Sequence, residues 1–422
     1  MVNREMSADW KKSLVYPDYG EIDRPGSTIA NIGATIAKLF DVPFDGLSPL
    51  PDSCYHSILD EGPIERVVLI IIDAMGQNLF TKDPWLDDFS QEAHVAETIT
   101  SVFPSTTVNA LSSIWTGHAP SQHGLVGLRL LDRDFNAVNF MINLHPLYVR
   151  KRDAMVDAGF DPETYLAVPG IAQQFADAGI STVDIKGREI IHSALSRMHG
   201  RGVSEKIGAV SFPEMMWQVK HQLETKSGPL FTVAYWPNVD TLSHLYGPTH
   251  EAVKLEMLSC LKEIKQTLLE GVANDKRKGT AVIVTADHGQ VTLNPNLHQR
   301  IHDYPKINDL LFLNAAGGNR VPYWYAKQGQ VDRIKNELEL RFGNLLQAYT
   351  RQEMIDNGWY GPRPFAPKFT DRLGDLNLLM ADGLLMIDPT DIEIVKFLRA
   401  GSHGGLTPDE MQVPFLGFRL DS

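Results

Sequence analysis

Three aspartates, three histidines and one threonine stand out along this chain because each ends an apolar run or opens a glycine-bearing turn. They lie in Val68–Asp73 (VLIIID), Pro104–Thr107 (PSTT), Asp240–His244 (DTLSH), Asp287–Gly289 (DHG) and Gly401–Gly404 (GSHG). A further pair, Thr116–Gly117 and His123–Gly124, brackets the end of the helix expected after Thr107. Carboxylates and imidazoles are the side chains that hold divalent cations. A threonine hydroxyl hardly ionises by itself, but a nearby cation stabilises its alkoxide and turns it into a nucleophile. Together these residues are what two divalent cations and a nucleophile require, so the chain reads as an enzyme.

Taken singly, most of them have ordinary explanations. Asp73 after a buried strand can be a helix N-cap, and Asp-His-Gly can be a simple turn that Gly289 permits. Asp240 and His244, four apart, would share one face of a helix beginning near Val239, where they can chelate one ion or serve as a cap and a solvated histidine. His403 lies between glycines in a loop, where histidine has no packing role. Thr107 heads the apolar face Val108, Leu111, Ile114 and Trp115. A hydroxyl there sits where free backbone N–H groups and the helix dipole favour a phosphate. The order of the motifs, more than any one of them, carries the reading.

The elements that must hold these residues are legible as alternating strands and helices. Arg66–Asp73, Leu230–Trp236 and Thr280–Thr285 are nearly continuous apolar runs, as buried parallel strands are, and Thr182–Ile185 is a weaker fourth. Helical patterns cover Val108–Trp115, Gly170–Ala178, Glu251–Leu269 and Val331–Leu346. The alternation predicts an α/β fold with a doubly wound, mostly parallel sheet and helices on both faces. Ligands of such sheets bind beyond the carboxyl ends of the strands, where Asp73, Asp240 and Asp287 fall. Residues 1–65, with a helix at Ile29–Leu39, read as a leader on the core, and 66–298 with 371–422 as the core itself. Residues 299–370 read as an inserted cap carrying Tyr323, Trp324, Tyr325, Trp359 and Tyr360, most of them packing residues; Leu376–Ile387 reads as a hairpin-like pair.

With 422 residues, 43% hydrophobic and 22% charged, the chain has the composition of a soluble globular protein. Its formal charge of −13 disfavours nucleic acid as a partner. Met1–Lys12 has no apolar signal region, and no window reaches the ~18 apolar residues of a membrane span, so a cytoplasmic protein without a membrane partner is expected. Cys54 and Cys260 make no disulfide framework. Nothing in the sequence fixes the oligomeric state.

In this order the motifs resemble the alkaline phosphatase superfamily, and within it the type I phosphodiesterase/nucleotide pyrophosphatase branch. The resemblance implies an alkaline phosphatase-like fold and two divalent cations per chain. Asp73, Thr107, Asp287 and His288 would hold one, and Asp240, His244 and His403 the other. Zinc is favoured by three histidines with three carboxylates, manganese or iron being alternatives. Thr107 would be the nucleophile, since the family places it nine residues before the threonine of a Thr-Gly pair, here Thr116-Gly117. The implied reaction is a two-step in-line displacement on a small phosphate ester through a phosphothreonine. One departure is visible: where nucleotide pyrophosphatases place a phosphate-binding asparagine, four residues after the glycine of His123-Gly124, this chain has Leu128. Arg129 follows it and is either a bidentate phosphate ligand suited to a monoester or a surface arginine. Lys186 and Arg188 are further anion-binding candidates. A monoesterase or phosphonate hydrolase on the same core is the nearest alternative. A metal-binding protein without catalysis is a third, disfavoured because all seven positions are filled.

Overall fold

The computed structural model describes residues 10–21, 23–80, 83–388 and 399–421, so the first residues of the leader and part of the last core segment lie outside the described residues. Its centre is a seven-stranded sheet. In chain order the strands are β1 (Arg66–Ile72), β2 (Val95–Thr100), β3 (Ser181–Gly187), β4 (Glu205–Ala209), β5 (Leu230–Trp236), β6 (Thr280–Thr285) and β7 (Gln412–Arg419), arranged in space as β2-β7-β6-β1-β5-β3-β4. β1 is the middle strand because it is apolar throughout: Val67 to Ile72 are each at most 1% exposed. Each such side chain contributes roughly 1.5–3 kcal/mol of burial free energy.

The register explains how distant acids meet. β1 runs parallel to both neighbours, with Ile72 opposite Trp236 and Ile71 opposite Thr285. Asp73 therefore comes level with Asp287, and the chain leaving β5 starts the helix bearing Asp240 at the same edge. β7 is antiparallel to β6 and to β2. Its amino end thus lies at the carboxyl ends of the parallel strands and delivers the loop that holds His403. β2 ends at that edge too and leads into α1 (Thr107–Thr116). A two-stranded pairing of Val291–Thr292 with Gly401–Ser402 ties the segment after Asp287-His288 to the His403 loop.

From the first 65 residues, Ile29, Ile32, Ile36 and Leu39 enter the main core. The second unit departs from the boundaries expected at 299 and 370. It is a seven-stranded antiparallel sheet ordered 346–350, 376–380, 322–326, 311–317, 129–132, 137–140, 145–146. Strands on both sides of the expected insertion join it, because Gly317 pairs with Arg129 and Tyr323 with Asn377. The expected hairpin at Leu376–Ile387 is not formed: its first strand pairs within this sheet, and Leu385–Ile387 pairs in parallel with His298–Arg300. Tyr323, Trp324, Tyr325, Trp359 and Tyr360 are buried packing residues here. Cys54 and Cys260 are free and buried. Among the described residues no helix is long and apolar enough to cross a membrane.

Candidate metal centre

All seven residues singled out above converge at the carboxyl edge of the central sheet. Asp240 and His244 lie one turn apart on α2 (Asn238–Tyr246), and His244 Nε2 is 3.4 Å from Asp240 Oδ1. His403 Nε2 approaches the same oxygen at 3.5 Å. On the other side His288 Nε2 lies 3.3 Å from Asp287 Oδ2, 3.5 Å from Asp73 Oδ1 and 3.1 Å from Thr107 Oγ1. Two clusters of ligand atoms result, Asp240 with His244 and His403, and Asp73 with Asp240 and His288, each within 4.8 Å. Asp240 belongs to both, and the His288 and His403 rings stack with centroids 3.8 Å apart.

The imidazoles are oriented for ligation by their other nitrogens. Nδ1 faces Gly401 O at 2.8 Å in His244, Gly289 O at 3.1 Å in His288 and Ser105 O at 2.9 Å in His403. A carbonyl only accepts, so each Nδ1 carries a proton and each ring turns its Nε2 toward the centre. The carboxylates are positioned likewise. Tyr235 donates its hydroxyl to Asp73 Oδ2, and Gln290 Nε2 donates to Asp240 Oδ1 at 2.5 Å. Ala74, held at φ 58, donates its N–H to Asp287 Oδ1 at 3.2 Å. Gly289 is required for space rather than for a left-handed turn, since a Cβ there would fall 2.1 Å from Asp409 O. Tyr235 and Gln290 escaped the sequence reading because each looks like the polar punctuation of a strand end.

The electrostatics fit cations. Asp73 Oδ1 and Asp287 Oδ2 are buried and accept no hydrogen bond among the described residues. Burial, then Asp287 and Asp240, push the Asp73 carboxyl well above its ordinary range, and burial raises Asp287 to about 7. Burial also lowers His288 strongly and takes His244 down to about 4, favouring neutral imidazoles. Three acids that cannot all ionise next to one another, facing three imidazole lone pairs, form a donor set that positive ions complete.

The remaining candidates lie elsewhere. Arg129 lines a small cavity with Ile301, Asn314, Trp324 and Asp388, and none of the seven cluster residues lines it. Leu128 packs against the second hydrophobic core. Lys186 is buried 3.1 Å from Asp184 and 4.9 Å over the Trp115 ring, a structural pair, and Arg188 is exposed.

The model of the type I phosphodiesterase / nucleotide pyrophosphatase family matches residues 67–405. Among solved structures, murine ectonucleotide pyrophosphatase/phosphodiesterase 5 superposes with a TM-score of 0.63 at 18% identity, covering 84% of this chain and 89% of its own. An inactive variant of that murine protein in complex with AMP gives 0.63 at 17% identity, covering 85% and 90%. Phosphonoacetate hydrolase from Sinorhizobium meliloti in complex with phosphonoformate gives 0.59 at 19% identity, covering 84% and 90%. No curated protein matches significantly in sequence. The family match runs from β1, just before Asp73, past His403, and so takes in every residue of the centre: the chain belongs to the type I phosphodiesterase / nucleotide pyrophosphatase family and is a metal-dependent hydrolase of phosphoric esters.

Proposed function

We propose that the chain is a bimetallic phosphodiesterase of nucleotide pyrophosphatase type that acts through a phosphothreonine on Thr107. The observation that carries this reading is the Thr107 hydroxyl, which opens α1 and lies 3.1 Å from His288 Nε2 amid two cation-ready clusters. Asp73, Thr107, Asp287 and His288 would hold one divalent cation and Asp240, His244 and His403 the other, with zinc favoured by the nitrogen content. Bound there, the cations supply the positive charge that makes a threonine hydroxyl acidic and offsets charge on the leaving oxygen. Thr107 Oγ1 then attacks phosphorus in line with the leaving group, and water releases the phosphothreonine in a second displacement. The first amides of α1 face the phosphoryl oxygens, as helix N-termini do for anions.

His403→Ala is expected to lower metal content by about one ion per chain, because the two clusters have separate histidines. Elemental analysis showing unchanged content would refute that assignment. The substrate class is tested by assaying zinc-loaded protein, with a chelated control, on bis-p-nitrophenyl phosphate and p-nitrophenyl phosphate. Preference for the diester is expected, since Arg129, the residue that suits a monoester, lines a different cavity. Preference for the monoester would overturn the diesterase reading while leaving the centre intact.

A further inference from the structure

A phosphoryl group on Thr107 needs hydrogen-bond donors aimed at its oxygens. The residue before the nucleophile offers an unused one. Thr106 is the N-cap of α1, with extended φ −120 and ψ 146, the geometry in which a threonine hydroxyl normally caps the first turn. It makes no such cap. Thr106 is 3% exposed, and its Oγ1 is buried without a hydrogen-bond partner among the described residues. A buried hydroxyl left unpaired lowers stability, so its presence calls for a ligand that completes it.

Its surroundings say which ligand. Thr106 sits between Thr107 and the His403 loop: a Cβ on Gly404 would lie 3.4 Å from Thr106 Cγ2. That loop is fixed by Ser105, whose Oγ donates to Gly405 O at 2.8 Å and accepts from Gly404 N at 3.2 Å. Ser105 is thereby committed to structure, and the Thr106 hydroxyl is left without a partner at the residue next to Thr107, where α1 begins and its first N–H groups lack intrahelical partners. An anionic tetrahedral group joined to Thr107 would meet these donors together.

We propose that Thr106 is a further catalytic residue, donating its hydroxyl to a non-bridging oxygen of the phosphoryl group that Thr107 receives. The assignment rests on the reading of Thr107 as nucleophile. The test compares Thr106→Val, which removes only the hydroxyl, with Thr106→Ser, which keeps it, both in the metal-loaded full chain. Melting temperature and metal content are expected to stay at wild-type values in both. In Thr106→Val the Kd for inorganic phosphate should rise about tenfold, and kcat/KM on bis-p-nitrophenyl phosphate should fall about ten- to hundredfold, the range for a hydrogen bond to a charged group. Thr106→Ser should remain within about threefold of wild type. Wild-type phosphate affinity and kcat/KM in Thr106→Val overturn the proposal, and so does a loss of metal or stability that accounts for the decline. A wild type inactive on every ester would defeat the Thr107 reading instead, while phosphate binding still decides the role of Thr106.

Discussion

Thr107→Ala lowers turnover by about 10⁴- to 10⁶-fold while the protein keeps its fold and most of its metal; this is the expected result, on the scale seen when a covalent nucleophile is removed. The size follows from the lack of a substitute. Ser105 Oγ is held by Gly405 O and Gly404 N, and Thr106 belongs to the cap position before the helix rather than beside His288. Metal is retained because three carboxylates and three imidazoles remain, each oriented by bonds that do not involve Thr107. Alanine is also the best helix former, so the first turn of α1 is not weakened. Thr107→Ser, which restores a hydroxyl, should recover most of the activity. The measurement is kcat on bis-p-nitrophenyl phosphate beside elemental analysis, with mass spectrometry of acid-quenched enzyme to find phosphate on the Thr107 peptide. Activity of Thr107→Ala within about tenfold of wild type would remove Thr107 from the role of nucleophile.

The acids of the centre were legible because the strands that carry them are buried on both faces and spell themselves out. Arg66–Ile72, Leu230–Trp236 and Thr280–Thr285 are continuous apolar runs, and a polar residue just beyond such a run can only lie at the sheet edge. The two outer elements were hidden by different physics. Val95–Thr100 is an edge strand with Ala96, Glu97 and Thr98 exposed, so it lacks the apolar signature. Gln412–Arg419 contains Pro414 and Gly417, which read as breakers. Pro414 is tolerated because the backbone ladder with Thr280–Thr285 begins only at Phe415, and on that side Pro414 merely accepts the Thr285 hydroxyl on its carbonyl. The second sheet was illegible because its pairings join residues far apart in sequence, such as Arg129 with Gly317, and short half-buried strands carry no record of their partners. The two readings of Arg129 stayed open for the same reason: its neighbour Leu128 marks a departure from the family pattern, but only the sheet shows which cavity Arg129 lines.

The largest expected loss of stability comes from a pair that no motif announced. Arg320 and Glu410 are both fully buried, joined by Nε to Oε1 at 2.9 Å and Nη2 to Oε2 at 3.0 Å. The guanidinium also donates Nη1 to Ala381 O and Leu384 O at 2.6 and 2.7 Å, and the carboxylate accepts from Gly405 N and Thr407 Oγ1 at 2.9 and 2.8 Å. Burial would raise the Glu410 carboxyl, but Arg320 more than offsets it and holds it below its usual range. The pair therefore locks the turn between two strands of the second sheet onto the loop that follows His403. Arg320→Met strands a charged carboxylate in the interior and is expected to cost about 3–5 kcal/mol, measured by urea unfolding. Metal should weaken at the His403 side first, because Gly405 and Ser105 position that loop together. The double variant Arg320→Met with Glu410→Gln should recover part of the loss, since no unpaired charge is then left behind. A single-variant cost below about 1 kcal/mol would mean that the loop is held by other contacts, and that cap and centre are not coupled through this pair.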